Sequence, residues 1–343
     1  MEADSTTYDN SSKSPDDICL PFNTNAANLK LYKNLISDVG DRSLESQLVG
    51  KLQSLGLIPQ NISCPENKPD CKVLCKSARV IDRVQWACEG CGKKQPIRTG
   101  SFFFRLQCSI LQALQIILAW CEDAEITTAA QFFDVKPRVA TSIYDRLDEL
   151  AINQLRKSKL GGENAVVLTE MYPDCLNRLS PDTTDQAHVH QILMIADTKH
   201  IPTRYKLHVI QSDLKKLPGN TNNEQSLKEE IERVLKSVSE PESMLVTGNN
   251  VPLIDGTVSL QQLIQHCDVD MQHFLSSRIW SQALTLCSAS RELCSGAAAV
   301  ACAAPLQRYL DAALQRLRHA DRFYEHTLRA LAADVTHAAR ARR

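Results

Sequence analysis

The chain has almost no net charge: 39 Lys and Arg stand against 40 Asp and Glu, leaving -1. Any electrostatic preference for a partner must therefore be local. No apolar run reaches the roughly 18 to 20 residues needed to cross a membrane, which argues against a helical membrane protein and leaves no membrane partner to expect. The opening MEADSTTYDNSSKSPDD has neither the basic start nor the apolar stretch of a secretory signal. G-x-S-x-G, P-loop and dinucleotide fingerprints are all missing, and with them the sequence marks of common hydrolases and nucleotide enzymes. No internal repeat is present. No lysine follows Lys236, while Ala and Arg become abundant; that switch is consistent with coding bias and carries no functional reading.

What is present is an ordinary globular composition, 43% hydrophobic and 23% charged over 343 residues, enough for two or three domains with their own cores. Thirteen cysteines in a chain read as unsecreted imply reduced thiols, some of them metal ligands, rather than a disulfide frame. The expected compartment is the nucleus, with the cytoplasm as the alternative.

The elements follow from pattern. Residues 1–26 are rich in Ser, Asp, Asn and Thr and are expected to be disordered. Residues 27–62 form a short helical segment, with Leu44, Leu48, Leu52 and Leu55 at helical steps and Gly56 as a stop. A cysteine-rich, basic segment occupies 63–105. Residues 106–158 read as helix-turn-helix: an apolar helix, a short one that Thr127 or Thr128 caps, a turn at Asp134-Val135-Lys136, and a longer helix opening on Pro137. From 159 to 335 the period becomes that of strands and then mixes strand and helix. Ala165–Leu168 is one strand, Gln191–Ala196 and Arg204–Gln211 form a hairpin, residues 227–238 an amphipathic helix, and Met244–Val246 a fourth strand. The fold class is α/β, in several domains. A basic tail, 336–343, closes the chain.

Cys88-Glu89-Gly90-Cys91-Gly92 has the shape of a zinc knuckle, because two intervening residues let both sulfurs reach one ion. Cys71 and Cys75 are the expected partner pair, and Cys64 competes for a place as the alternative ligand. Zn2+ held this way is structural, since four thiolates leave no open coordination position. Cys108, Cys121, Cys175, Cys287, Cys294 and Cys302 read as ordinary buried cysteines. His188 and His190 read as solvated loop histidines.

Gly56-Leu57-Ile58, Trp86-x-Cys88-x-x-Cys91 and above all Ile97-Arg98-Thr99-Gly100-Ser101-Phe102-Phe103 resemble the N-terminal half of Merlin-type DDE transposases, cut-and-paste enzymes related to small bacterial insertion sequences. The resemblance implies a zinc ribbon, a helical DNA-binding segment and an RNase H-like domain. It also implies three acidic metal ligands, and here their places are taken by Thr169, Gly248 and Ser277. Two-metal strand transfer needs carboxylates to hold two Mg2+ ions, so Mg2+ is not expected and the chain is expected to be no enzyme. A displaced triad of Glu170, Asp197 and Asp255 is the enzymatic alternative. Against it, Glu170 should point away from Thr169 across the strand, and the two aspartates sit where turns favour them.

The positive charge that composition conceals lies between Cys71 and Arg105: Lys72, Lys76, Arg79, Arg83, Lys93, Lys94, Arg98 and Arg105 face only Asp82 and Glu89. Lys93, Lys94 and Arg98 are the phosphate candidates. Lys136, Arg138 and Arg146 surround the expected recognition helix, where Thr141 and Ser142 add polar contacts. The expected partner is double-stranded DNA; chromatin or regulatory proteins and a second copy of the chain complete the range. The alternative from another class is a protein-interaction scaffold on an inert RNase H-like body.

Overall fold

The computed structural model describes residues 20–37, 44–172, 190–211, 222–294 and 299–340. The expectation of disorder for 1–26 lies mostly outside them. Contacts divide the chain into two compact units, one drawn from residues up to Tyr144 together with Thr327 onward, the other from Asp145 to His326. No described helix is long and apolar enough to cross a membrane.

The first unit opens with α1 (Ala26–Ile36), whose Asn25 cap accepts from the Ala27 amide. Next comes α2 (Leu44–Ser54), which buries Leu48 and Leu52. Gly56 follows at φ +75°, a left-handed conformation glycine adopts without steric cost, and the Leu57 amide closes the turn on the Leu52 carbonyl. Three short antiparallel strands form the ribbon in the order β1 (Val73–Ser77), β2 (Val84–Cys88), β3 (Lys94–Pro96). Trp86 is its buried anchor, with the indole N–H donating to the Ile97 carbonyl at 3.1 Å.

Three helices follow: α3 (Ile110–Cys121), α4 (Ile126–Phe132) and α5 (Pro137–Lys157). Ser109 and Gln112 make a reciprocal capping box at the start of α3. The cap of α4 is Glu125, not Thr127 or Thr128. Its longer carboxylate accepts from both threonine amides and both hydroxyls, so the threonines become donors. The Thr127 hydroxyl and the two backbone amides hold that carboxyl down at about 2. Pro137 opens α5 as its missing N–H predicts, and Val139, Ala140, Ile143 and Leu147 bury one face.

The second unit is built on a five-stranded sheet, β4 (Val166–Tyr172), β5 (Ile192–Asp197), β6 (Arg204–Val209), β7 (Met244–Thr247) and β8 (Val258–Ser259). Its order is β6-β5-β4-β7-β8. The β4–β5 and β5–β6 pairs are antiparallel, while β4–β7 and β7–β8 are parallel. Only β5 therefore runs against the rest. The helix α6 (Asn222–Val238) bridges β6 and β7. One sheet face packs Val167, Leu193 and Ile195 against Ile231 and Leu235 of α6. The other packs Leu168, Met194 and Val246 against Trp280, Leu306 and Leu310. Cover on both faces explains why β4 and β5 read as almost unbroken apolar runs rather than alternating ones. After β8 come α7 (Leu260–Ile264), α8 (Val269–Ser276), α9 (Ser281–Ala289) and α10 (Ala299–His319). The last helix, α11 (Phe323–Arg340), continues into the segment read as a tail.

Candidate functional site

Four thiols converge in the ribbon: those of Cys64, Cys71, Cys88 and Cys91 all lie within 4.8 Å of one another. Cys88 ends β2. The chain then turns back on itself, the Gly92 amide donating to the Cys88 carbonyl and the Cys88 amide to the Lys93 carbonyl. The Cys91 amide points at the Cys88 sulfur from 3.5 Å. Cys71 enters from the segment before β1, fixed there by the Glu89 amide donating to the Lys72 carbonyl. Its sulfur lies so close to Gly90 that a Cβ there would stand 2.5 Å from it; the glycine is what lets the third thiol in.

The fourth thiol of the group is that of Cys64, not Cys75. Cys75 sits in β1 opposite Trp86 and is exposed. Cys88 of the knuckle pairs with Val73, and at roughly 3.3 Å per residue the strand carries Cys75 about 7 Å further along, away from the other thiols. Cys64 comes back by a turn, closed by the Asn67 amide on the Cys64 carbonyl. Its sulfur stands 3.5 Å from that of Cys91 and 3.7 Å from that of Cys88. A tetrahedral ion with metal–sulfur bonds of about 2.3 Å sets its sulfurs about 3.8 Å apart, which these separations match.

The thiols also differ electrically. Burial raises Cys64, but the amides of Glu66 and Lys68 and the thiols of Cys91 and Cys71 outweigh it and hold it at about 7. Cys71 is pushed up to about 12 by Cys88, by burial and by Cys64. One thiolate is favoured and its neighbours resist a second, so the set ionises fully only around a cation.

The basic residues separate by surroundings. Arg98, an expected phosphate contact, is buried. Its Nε and Nη2 donate to the two oxygens of Asp82 at 2.7 and 2.5 Å, and Nη1 donates to the carbonyls of Leu106 and Cys108. Four of the five N–H groups of the buried guanidinium are spent inside the protein, which is a structural role. Sequence reasoning missed its mate; the signal was that Asp82 is one of only two acids among eight cations. Lys93 pairs with Glu66 and Lys76 with Glu89 on the surface. Lys94 is exposed and lines a shallow depression with Arg79, Gln85 and Ser77. Lys136, Arg138, Thr141 and Ser142 are all exposed at the start of α5. Arg146, two turns on, is half-buried, and burial lowers its pKa.

The positions where the resemblance expects acids lie in the second unit. Thr169 is fully buried and its hydroxyl donates to the Val246 carbonyl. Ser277 follows α8 and donates to the His273 carbonyl. Glu170 does point away from Thr169, yet it lies on the side of Gly248. Thr169 pairs in register with Thr247, which sets residue 170 beside residue 248. The Glu170 carboxylate accepts from the amides of Met171, Asn249 and Asn250 and fills the space a side chain at 248 would take, 2.1 Å from where its Cβ would stand. Asp197 is buried among the amides of Gly161, Lys199 and His200, and Asp255 is exposed and pairs with Lys228. Among the described residues no three acidic side chains converge.

Gly248→Ala should therefore cost about 1 to 3 kcal/mol, because the carboxylate must leave its amides to admit a methyl group. Denaturant unfolding in a Glu170→Ala background, where the penalty should largely vanish, checks the cause.

Cys108, Cys121, Cys287 and Cys302 are buried as expected; Cys175, His188 and the Cys294 side chain lie outside the described residues. His190 is buried rather than solvated, its Nε2 lying 3.0 Å from the Cys302 sulfur.

No protein-family model, curated protein or solved structure matches the chain.

Proposed function

We propose that the chain is a transposase-derived DNA-binding protein that has lost strand-transfer chemistry. The observation that carries the reading is the exposed cationic start of α5. A short helix, a four-residue connection and a long amphipathic helix precede and hold Lys136, Arg138, Thr141 and Ser142 outward together, the arrangement by which a recognition helix enters a major groove. The mixed sheet with one reversed strand, and with a helix leading into its parallel half, supports an RNase H-like second unit. Cys64, Cys71, Cys88 and Cys91 hold a zinc ion that fixes the ribbon, and Lys94 and Arg79 supply phosphate contacts beside it. The loss of chemistry rests on Glu170, whose carboxylate serves three backbone amides, and on a neutral residue at each of Thr169, Gly248 and Ser277. A nuclear site of action, at chromatin, follows from DNA binding.

Duplex binding measured against salt tests this. The logarithm of affinity should fall steeply with the logarithm of salt concentration, and each lost phosphate contact should reduce the slope by about 0.9. Lys94→Ala and the double change Lys136→Ala with Arg138→Ala are the variants to use. Absent or salt-insensitive binding would favour the scaffold reading, and Mg2+- or Mn2+-dependent nicking would restore the enzyme.

A further inference from the structure

In the second unit a cavity of about 390 Å³ opens beside the β5–β6 turn and the last turns of α10. That is the size of a small-molecule site. Its walls are apolar where Leu155, Leu160 and Leu314 reach it, all three buried. Two guanidiniums, Arg204 and Arg318, also line it, and none of the lining residues is acidic. Among the described residues neither arginine has an ion pair; Arg318 donates only to the Ser158 hydroxyl, at 3.3 Å.

One candidate counterion is already committed. Asp197 stands opposite Arg204 in the β5–β6 pairing. Its oxygens accept from the amides of Gly161, Lys199 and His200 and lie 2.9 and 3.1 Å from the His200 Nδ1. The two cations also act on each other, since burial and then Arg204 lower the pKa of Arg318. A half-enclosed cavity of mixed lining thus carries two positive groups, Arg318 exposed and Arg204 half-buried, that have no ion pair among the described residues. Two like charges lining one cavity favour an anion between them.

We propose that this cavity binds a small organic anion, an apolar body ending in a phosphate or carboxylate. Arg204 and Arg318 grip the head, for which the guanidinium fork is suited, and Leu155, Leu160 and Leu314 receive the body. The site stands apart from the DNA-binding reading and does not depend on it.

Calorimetric titration of the full chain with phenyl phosphate, hexanoate, inorganic phosphate and benzyl alcohol tests the proposal. One saturable site is expected for phenyl phosphate or hexanoate, and the stronger of the two identifies the head group. Inorganic phosphate and neutral benzyl alcohol should each bind about tenfold more weakly or worse, having lost one half of the recognition. Arg204→Gln and Arg318→Gln should each weaken the organic anion by about tenfold. Absence of saturable binding for both organic anions overturns the proposal, as does affinity unchanged in both variants. So does a reduced salt slope for duplex DNA in Arg204→Gln without organic-anion binding, which would make the arginines part of a DNA surface.

Discussion

Cys64→Ser should abolish metal binding and unfold the ribbon, whereas Cys75→Ser should leave both intact. The purified chain should carry one zinc per molecule, and the Cys64 variant close to none. The size of the effect follows from what the ribbon otherwise has to hold it. Its three strands are three to five residues long, too short to stand alone, and its buried apolar side chains are few, with Trp86 and Phe103 the largest. A structural zinc contributes on the order of 10 to 16 kcal/mol of binding free energy that doubles as folding free energy. Removing one thiolate of four therefore removes more than the strands can replace. Cys88→Ser and a strong chelator should act in the same way. Metal content by elemental analysis, paired with proteolysis of the ribbon, reads both parts. A Cys64 variant with full zinc content would overturn this ligand set, and a Cys75 variant without zinc would restore the spacing argument that first favoured it.

That contrast marks where sequence stops informing on this fold. Elements whose signal is local could be read directly: the stop at Gly56, Pro137 opening α5, the β5–β6 hairpin and the knuckle at Cys88 and Cys91. The fourth thiol of the cluster could not, because Cys75 looked closer along the chain while a strand carries it away and a turn brings Cys64 back. The face of Glu170 was hidden for a related reason. Alternation along β4 tells that residues 169 and 170 point oppositely, but only the register with β7, some eighty residues on, tells which of them meets Gly248. The Glu125 cap was missed because threonine is the commoner cap and the competitor stood two residues earlier. Charge counting failed at Arg98, since a list of cations says nothing of which one is buried with a partner.

That buried partner predicts the second large effect. Asp82→Ala should destabilise the first unit by about 3 to 5 kcal/mol, the usual loss when one half of a buried pair is removed. The side chains of Arg98 and Asp82 are only 5% and 7% exposed, so the guanidinium left behind cannot recover water. It would keep its bonds to the Leu106 and Cys108 carbonyls but no countercharge. Replacing both, as Asp82→Ala with Arg98→Met, should return a good part of the loss, because two well-packed apolar groups do not leave an isolated charge. Urea unfolding of the wild type, both single variants and the double closes the cycle. Wild-type stability in Asp82→Ala would mean the pair is not held as described. The cycle also bears on the DNA assay: Arg98→Ala should lose DNA binding because the ribbon's anchor has gone, and lose it without the selective change in salt slope that Lys94→Ala or the α5 variants should produce. A loss of affinity at Arg98 that came with unchanged stability and a shallower slope would return that side chain to the DNA surface, and would sink the structural role assigned to it.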